Sequence, residues 1–316
     1  MKIILLARGK TIPISNLTQI NHCFQMILYG LYLNFIKLGH EVIQINQELY
    51  TRKSNPNYST FPNTDIIIHI ACSENFTEET YKQLKSKCKK YVSFSEGAPL
   101  WCDFNFVIGA KKSFKKGIGI IAPYTPEFYQ NIEKEPKTIL LDHAYIKFWT
   151  ANQKRDWARK IWSWLEPLKE KYKIYTLVKG GTDQYGDWKQ KTLELLPNFI
   201  IPLISNTSDT RQTFDFKTYL ELTNKFETFI VVNHGSYNYS VLDMLVRGIH
   251  VLTPPDFIPR SNINLFQIPI FTSQEELLKE INRPINQNIL NEKIKLCTPM
   301  NEVVTIMANY FNKWIN

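Results

Sequence analysis

Short apolar runs alternate with longer amphipathic stretches along the whole chain. Runs of roughly four to eight apolar residues predict buried strands, and apolar positions spaced about three and four residues apart predict helices. In the first half, this pattern predicts helices at about 21–38 and 77–87 and strands at 2–7, 41–46, 65–71, 90–95 and 105–110. Gly39 follows the first helix directly, at the position where a glycine commonly ends one.

The alternation restarts after segment 124–137, which is charged and carries Pro near both ends, and which we interpret as a linker. Beyond it, the pattern predicts helices at about 155–172, 216–225 and 237–246 and strands at 138–144, 173–179, 198–204, 228–233 and 250–254. Alternating strands and helices form parallel sheets that helices cover on both faces. We therefore predict the α/β class, with two Rossmann-like doubly wound domains at 1–123 and 138–300, facing each other across a cleft, and a last helix at 301–316.

The composition indicates a globular protein with a basic surface. Of the 316 residues, 44% are hydrophobic and 21% are charged, and the formal net charge is +9. This charge favours polyanionic partners, which are nucleic acid, an anionic membrane face or a phosphorylated substrate. A surface that is rich in Lys for reasons unrelated to binding is the alternative.

Cysteine usage and hydropathy bear on the compartment. The five Cys residues are odd in number and form no C-x-x-C pair, which favours a reducing compartment and argues against a structural zinc site. No apolar run approaches the ~18 residues of a membrane span, and MKIILLARGK at the N-terminus has no small-residue cleavage site. We expect a cytoplasmic protein without a transmembrane segment, either soluble or peripheral at the inner membrane face, and in the host cytoplasm if the source is viral.

Candidate ligand-binding residues follow the predicted strands, because doubly wound sheets bind ligands outside the carboxyl ends of their strands. The stretch from Gly235 to Pro255, GSYNYSVLDMLVRGIHVLTPP, comes directly after the apolar run TFIVVNH. It predicts a turn, a helix that breaks at Gly248 and a further strand. The start of a helix exposes unpaired N–H groups and the positive end of the helix dipole, which attract anions. A simpler role for Ser236 or Asn238 is to cap this helix.

The stretch from Tyr219 to Pro254, YLELTNKFETFIVVNHGSYNYSVLDMLVRGIHVLTP, resembles the nucleotide-sugar-binding core of GT-B glycosyltransferases. The likeness is to the retaining families with the signature E-x7-E, which occurs in phrases such as ESFGLVLLEAMACGVPVV. Aligned without a gap, Gly235 takes the first acidic position and Asp243 the second. Arg247 and Gly248 fall on the Cys-Gly of the turn. A weaker resemblance extends over the whole chain.

The resemblance implies a donor site in the second domain. Asp243 would hydrogen-bond the ribose hydroxyls, and Gly235 would contact the sugar only through its backbone, so retaining and inverting stereochemistry both stay open. The diphosphate would face the amides of the intervening turn, which belong to Ser236, Tyr237, Asn238 and Tyr239. The implied donor is a UDP- or GDP-sugar that binds as a substrate, with no further cofactor. The helix at 301–316 is placed like the tail that crosses back to the first domain in this fold.

A diphosphate leaving group needs positive charge, either from a metal ion or from Lys and Arg. GT-B enzymes usually work without a metal, and the sequence has neither a D-x-D in a suitable strand context nor a His or Cys cluster. We therefore predict that no metal is bound. Lys179 is the preferred diphosphate ligand, since it ends a predicted strand and two glycines follow it. Lys147, Lys154 and Arg155 are the alternatives.

Two residues of the first domain are candidates for chemistry on the acceptor. His22 lies at the start of the first helix, where inverting GT-B enzymes often carry a catalytic His, and it would deprotonate an acceptor hydroxyl if a carboxylate such as Asp103 oriented it. Glu96 follows strand 90–95, where the retaining families tend to carry a His that touches the donor sugar, and it would bind sugar hydroxyls or act as a base. Structural roles at a helix start and in a turn are the alternatives. We interpret His69 as a core residue.

These features favour a glycosyltransferase that moves a hexose or pentose from a nucleotide-diphosphate sugar to an acceptor hydroxyl of a glycan, a lipid or a modified DNA base. The DNA alternative is a phage-type enzyme acting on hydroxymethylated cytosine, which would have to be flipped out of the duplex. Two other classes fit the same pattern. A noncatalytic nucleotide-sugar-binding protein would bind the donor without turnover, and a nucleotide-sugar epimerase would change the sugar with no acceptor present.

Overall fold

The computed structural model describes residues 1–8, 12–20, 23–52, 55–72, 75–109, 113–114, 116–129, 132–142, 152–178, 182–183, 186–204, 214–231, 239–255 and 260–315. The contacts divide the chain into two compact units. Unit 1 comprises Met1–Tyr129 and Leu296–Asn316, and unit 2 comprises Gln130–Lys295. Each unit has a sheet and a hydrophobic core of its own.

The described strands are β1 (Lys2–Ala7), β2 (Glu41–Asn46), β3 (Thr51–Arg52), β4 (Asn55–Pro56), β5 (Thr64–Ile70), β6 (Cys88–Ser95), β7 (Phe104–Ile108), β8 (Ser113–Phe114), β9 (Gly117–Ile120), β10 (Thr138–Leu141), β11 (Lys173–Val178), β12 (Thr182–Asp183), β13 (Gly186–Asp187), β14 (Ile200–Ile204), β15 (Thr228–Ile230) and β16 (His250–Leu252). The described α-helices are α1 (Cys23–Lys37), α2 (Glu78–Lys85), α3 (Asn152–Leu165), α4 (Trp188–Leu195), α5 (Phe216–Thr223), α6 (Tyr239–Val246), α7 (Arg260–Phe266), α8 (Gln274–Asn282), α9 (Gln287–Ile294) and α10 (Met300–Ile315).

A seven-stranded sheet forms the centre of unit 1, in the order β2-β1-β5-β6-β7-β9-β8. Its strands are parallel, except for the antiparallel pair β8 and β9. In β1 every residue from Ile3 to Ala7 is buried, and in β5 every residue from Ile66 to Ile70 is buried. Such continuous burial is typical of central strands covered on both faces. The strand order reverses between β1 and β5, since β2 lies on one side of β1 and the later strands lie on the other.

Helix α1 ends where the sequence predicts. Gly39 has a φ of +78°, which lies in the left-handed region that residues other than glycine adopt only with strain. Its N–H donates to the carbonyl of Ile36 at 2.9 Å, and the N–H of His40 donates to the carbonyl of Phe35 at 3.1 Å. These bonds satisfy carbonyl groups that the helix end leaves unpaired, and they turn the chain towards β2.

The C-terminal helix α10 packs on α1 within unit 1. The rings of Phe35 in α1 and Phe311 in α10 stack with their centroids 6.1 Å apart. Gly30 makes close approach possible, because a Cβ atom there would lie 2.2 Å from Thr125 Oγ1 and 3.3 Å from the Met300 side chain. Residues 124–129, which the sequence assigns to a linker, belong to unit 1 by their contacts.

Unit 2 contains a five-stranded, wholly parallel sheet in the order β14-β11-β10-β15-β16. In order of appearance this is 3-2-1-4-5, the order of a Rossmann-like domain, and it reverses between β10 and β15. The core between sheet and helices includes Ile139, Trp162 and Phe271, all at most 3% exposed. The α/β class and the two doubly wound units are therefore confirmed.

Helix α6 and the strand after it are joined by a second left-handed glycine. Gly248 has a φ of +70°, and its N–H donates to the carbonyl of Leu245 at 3.0 Å. The N–H of Ile249 donates to the carbonyl of Met244, also at 3.0 Å. Gly248 thus ends α6 and starts the return to β16. Among the helices described, none is both long and apolar enough to cross a membrane.

Candidate functional site

The switch point of unit 2 lies between β10 and β15, and this is where doubly wound sheets bind ligands, outside the carboxyl ends of the strands. Asp142 directly follows β10 and is 1% exposed. Its N–H donates to the carbonyl of Ile230 in β15 at 3.0 Å, and Thr176 Oγ1 of β11 donates to its carbonyl at 3.3 Å. Asp142 therefore links three neighbouring strands at the edge where a ligand is expected.

Helix α6, which follows β15 in the chain, carries a buried ion pair. Arg247 Nη2 pairs with Oδ2 of Asp243, one helical turn earlier, and only 1% of the Arg247 side chain and 5% of the Asp243 side chain are exposed. Arg247 Nε donates to the Asp243 carbonyl at 3.2 Å, and Arg247 Nη1 donates to Thr223 Oγ1 of α5 at 2.8 Å. A buried ion pair needs such additional bonds to offset its desolvation. Arg247 therefore holds Asp243 in place and ties α6 to α5.

Tyr219 of α5 lies against the same ion pair. The centroid of its ring is 5.4 Å from the guanidinium carbon of Arg247. Tyr219 is partly exposed, but its hydroxyl oxygen is shielded from solvent, and the Asp243 carboxylate is the one group whose hydrogen bonding affects its pKa. No hydrogen bond of regular geometry joins that oxygen to a described residue. The same is true of Asp243 Oδ1. Burial, followed by the negative charge of Asp243, raises the pKa of Tyr219 well above its usual range, so the hydroxyl keeps its proton.

Lys134 adds positive charge near this pair. Its Nζ donates to the carbonyl of Asn224 at 2.7 Å and to Asn224 Oδ1 at 3.3 Å, at the end of α5. Burial and, to a smaller extent, the positive charge of Arg247 lower the pKa of Lys134, the charge of Asp243 opposes both, and the net result is a pKa of about 8. Lys134 is therefore still mainly protonated at neutral pH, and it contributes positive potential to the cluster.

In unit 1, Glu96 directly follows β6 and is half-buried. Its carboxylate lies close enough to Cys23, the first residue of α1, to raise the pKa of that thiol, an effect second only to burial. Cys72, two residues beyond β5, acts in the same direction. Glu96 thus lies at the carboxyl ends of the strands of unit 1, where an acceptor-side acid is expected, and its role stays a prediction.

Asp103 and His69 are held by contacts within unit 1 that give them structural roles. Asp103 precedes β7, at the amino end of that strand, and its Oδ2 accepts from Lys85 Nζ at 2.7 Å and from the Tyr91 N–H at 2.9 Å. Asp103 Oδ1 accepts from the Tyr81 hydroxyl at 2.9 Å. Both of its oxygens are therefore engaged away from the carboxyl edge, which does not support Asp103 as the partner of a catalytic His. His69 is fully buried, and burial lowers its pKa to about 3, as for a neutral core residue.

Most of the predicted site residues lie outside the described part of the chain. They are His22, Lys179, Gly235, Ser236, Tyr237 and Asn238. Their roles stay predictions. Tyr239 is the first described residue of α6, and the two residues before it, where the hydrophobic pattern starts this helix, lie outside the described part of the chain. The structure places Asp243 on the helix that leads away from the switch point of unit 2 and Glu96 at the carboxyl end of β6 in unit 1.

The sequence prediction missed three residues of the cluster around Asp243, namely Asp142, Tyr219 and Arg247. The spacing of Asp243 and Arg247 was a usable signal, since opposite charges four residues apart pair on one face of a helix. Tyr219 gives no local signal, because only tertiary packing brings α5 against α6. Within the described residues, no three His, Cys, Asp or Glu side chains are arranged to hold a metal ion, and metal independence stays a prediction.

Comparison with known proteins gives matches among solved structures only. No family model and no curated protein matches the sequence. Sucrose-phosphate synthase from Thermosynechococcus elongatus is 8% identical, with a TM-score of 0.66 over 99% of each chain. The HepE protein of Anabaena, in complex with UDP, is 9% identical, with a TM-score of 0.56 over 99% of this chain and 100% of that one.

An α-glucosyltransferase in complex with UDP-glucose and DNA containing an abasic site is also similar. It is 12% identical, with a TM-score of 0.53, and the match covers 96% of this chain and 94% of that one. These proteins share the GT-B fold. Because the match spans nearly the whole chain, it shows that this chain has the GT-B fold as well.

Proposed function

We propose that this protein is a glycosyltransferase that moves a sugar from a nucleotide-diphosphate sugar to an acceptor hydroxyl. The observation that carries the proposal is the likeness of nearly the whole chain to GT-B structures, among which are complexes with UDP and with UDP-glucose. The position of Asp243 supports it, because this acid lies on the helix that follows β15, one of the two strands of the switch point.

In this proposal unit 2 binds the donor, a UDP- or GDP-sugar. Asp243 Oδ1 accepts a hydrogen bond from a ribose hydroxyl, while Arg247 holds the other carboxylate oxygen. The amides of residues 236–239 and the side chain of Lys179 bind the diphosphate. They stabilise the negative charge that develops there when the bond to the sugar breaks, so the reaction needs no metal ion.

Unit 1 supplies the acceptor side. Glu96 or His22 accepts the proton of the acceptor hydroxyl while that oxygen attacks the anomeric carbon of the sugar. The nucleoside diphosphate leaves with the electron pair of the broken glycosidic bond. Of the two, only Glu96 belongs to the described residues, and it lies at the carboxyl end of β6.

A DNA base is a second candidate acceptor, in the form of hydroxymethylated cytosine. The net charge of +9 favours it, and so does the likeness to a glucosyltransferase that was solved with DNA. Binding to the phosphate backbone would weaken steeply as salt rises. A glycan or lipid acceptor without phosphate groups would show no comparable salt dependence.

The first test is a donor screen by thermal shift with UDP-, GDP-, ADP- and CMP-sugars on the wild type and on Asp243→Asn. We expect a clear rise in Tm with one nucleotide, largely lost in the variant. The matched control is Glu221→Gln, which removes an exposed acid of α5. Equal shifts in the wild type and Asp243→Asn would contradict the role of Asp243, and no shift with any sugar nucleotide would contradict the proposed donor.

The second part of the test follows sugar transfer from the best donor to duplexes with and without hydroxymethylated cytosine, to glycans and to lipid acceptors. We expect Glu96→Gln to abolish turnover while sparing nucleotide affinity, and Glu79→Gln, an exposed acid of α2, to do neither. Donor binding without any product would favour the noncatalytic binder. A changed sugar without an acceptor would favour the epimerase.

A further inference from the structure

Two oxygen atoms beside the switch point of unit 2 are shielded from solvent, and neither makes a hydrogen bond of regular geometry to a described residue. They are Asp243 Oδ1 and Tyr219 Oη. A native fold leaves few buried polar atoms unpaired, since each costs the hydration that it loses. An unpaired carboxylate oxygen is the more costly of the two, because its group is charged. The Tyr219 hydroxyl has only a weak hydrogen-bonding interaction with the Asp243 carboxylate, so two such atoms on neighbouring helices point to a ligand that supplies regular hydrogen bonds.

The topology puts both atoms near the edge where a donor is expected. Helix α5 connects β14 to β15, and α6 connects β15 to β16. In a parallel sheet such helices start at the carboxyl edge, and Tyr219 and Asp243 both lie within the first five residues of their helices. Asp142, at the end of β10, is near enough for its charge to raise the pKa of Tyr219, after burial and the larger effect of Asp243.

Arg247 fixes the two groups relative to each other. Its guanidinium pairs with Oδ2 of Asp243, which leaves Oδ1 as the unused oxygen. The same guanidinium lies over the Tyr219 ring, with its carbon 5.4 Å from the ring centroid, a distance at which a cation and an aromatic face attract each other. One buried cation thus orients both the acid and the tyrosine.

We infer that Tyr219 is a second binding residue for the donor ribose, and that Arg247 is the positioning residue that aligns it with Asp243. The inference rests on the proposed function and deepens it. Asp243 Oδ1 accepts a hydrogen bond from one hydroxyl of the ribose, and the Tyr219 hydroxyl bonds the adjacent one. Two neighbouring polar groups of this kind match a vicinal diol. Both oxygens are shielded from solvent, so binding includes a local rearrangement at this edge.

The test is Tyr219→Phe, which removes only the hydroxyl oxygen. Calorimetry measures Kd for UDP and for its 2′-deoxy and 3′-deoxy analogues, with the GDP series alongside. We expect about fivefold weaker binding of the ribonucleotide, as for the loss of one hydrogen bond. The preference for the ribonucleotide over one deoxy analogue falls by the same factor. The Tm without nucleotide falls little, because the hydroxyl has only a weak interaction with the Asp243 carboxylate to lose and no hydrogen bond of regular geometry in the described fold.

Tyr172→Phe is the matched control, since it removes a tyrosine hydroxyl of unit 2 that bonds Asn282 Oδ1 at 3.4 Å. We expect it to leave every Kd unchanged. Arg247→Lys tests the positioning role: it keeps the charge but loses the planar fork, so the preference for the ribonucleotide should fall as well. Wild-type preference in Arg247→Lys would remove Arg247 from the proposal.

The outcomes separate this inference from the proposed function. A wild type that binds UDP or GDP, together with a Tyr219→Phe variant of unchanged Kd and unchanged ribose preference, overturns the inference alone. A lower Tm with unchanged affinity also overturns it, because it shows that Tyr219 is merely structural. A wild type that binds no nucleoside diphosphate overturns the proposed function and this inference together.

Discussion

Each unit shields a tyrosine hydroxyl beside a titratable side chain, but the two hydroxyls differ in their partners. In unit 1, Tyr91 Oη lies 2.6 Å from Nδ1 of His69, and both residues are fully buried. In unit 2, Tyr219 Oη lies beside the ion pair of Asp243 and Arg247 without a hydrogen bond of regular geometry within the described fold. Tyr91 and His69 are thus a neutral pair in contact through their polar atoms, whereas the Tyr219 hydroxyl lies beside a charged pair without a regular hydrogen bond.

The difference separates a structural polar group from a candidate binding group. His69 also has an unpaired atom among the described residues, Nε2, but this neutral ring packs on Phe76 with the ring centroids 4.6 Å apart. An unpaired neutral nitrogen costs much less than an unpaired carboxylate oxygen. Packing therefore accounts for His69 and Tyr91 in unit 1, whereas the oxygens of Asp243 and Tyr219 in unit 2 are the ones for which we propose a ligand.

The largest expected effect that tests this comparison comes from Asp243→Ala. It leaves the guanidinium of Arg247 buried without its counter-charge, which costs about 3–5 kcal/mol of unfolding free energy. Urea denaturation at neutral pH measures the loss. The control Glu221→Ala removes an exposed acid of α5 and should change stability by no more than about 0.5 kcal/mol.

A double variant, Asp243→Leu with Arg247→Met, sharpens the same test. Replacing both members of a buried ion pair with apolar residues is often close to neutral, so we expect it to recover most of the stability that Asp243→Ala loses. A loss below about 1 kcal/mol in Asp243→Ala would mean that solvent screens the pair, as it does at an exposed site. The contrast between the two units would then disappear.

The next largest expected effect is the difference in stability loss between Tyr91→Phe and Tyr219→Phe. Tyr91→Phe removes the hydrogen-bond partner of His69 Nδ1 inside the core and should cost roughly 1–3 kcal/mol, since a buried polar atom is left unsatisfied. Tyr219→Phe should cost clearly less, because its hydroxyl makes no hydrogen bond of regular geometry in the described fold and only a weak interaction with Asp243 is lost. Parallel urea denaturation of both variants measures the difference, and equal losses would show that both hydroxyls are structural.

The sequence was sufficient for the fold because the fold depends on local patterns. All ten strands that the apolar runs predict are present, with ends displaced by at most three residues, and Gly39 and Gly248 end their helices with positive φ. The pattern missed the short pair β8 and β9, since Ser113, Phe114 and the glycines near 117 form no apolar run. It also missed helix α4 and the two-residue strands of the pairs β3–β4 and β12–β13. Helices α7, α8 and α9, which lie beyond the last predicted strand, were missed as well.

The candidate site was predicted less completely, for a physical reason. The resemblance identified Asp243 through its spacing from Gly235, a property of the sequence alone. Whether the carboxylate is available depends on Arg247 and on Tyr219, which approaches from another helix. The expectation for Asp103 was based on residue type, and it failed to allow for the three donors that occupy its oxygens at the amino end of β7.

The smallest expected effect concerns pH and compares a histidine of each unit. Burial lowers the pKa of His69 to about 3. The unfolded chain therefore takes up a proton at this histidine near pH 6.5, while the folded chain does not. The contribution of His69 to the unfolding free energy is complete above pH 6.5, and it is lost as the pH falls towards 3. Between pH 8 and pH 6, the unfolding free energy should decrease by about 0.8 kcal/mol for one such histidine. His69→Gln should remove that part of the pH dependence.

His250 in unit 2 is the matched case, because it differs in the cause of the shift. Burial lowers its pKa to about 4, and the positive charges of Lys293 and Arg283 contribute in the same direction. Salt screens those charges, so the pH dependence of the unfolding free energy that His250→Gln removes should be smaller at high salt. The pH dependence that His69→Gln removes should be the same at low and high salt. Urea denaturation from pH 8 down to pH 4, in low and high salt, gives both differences, because salt changes the contribution of His250 only where the pH approaches its folded pKa of about 4. A contribution from His69 that depends on salt would mean that nearby charges, and not burial alone, keep this histidine neutral. Unit 1 would then resemble unit 2 in having charged groups act on its buried polar residues, and the contrast between the two units would be lost.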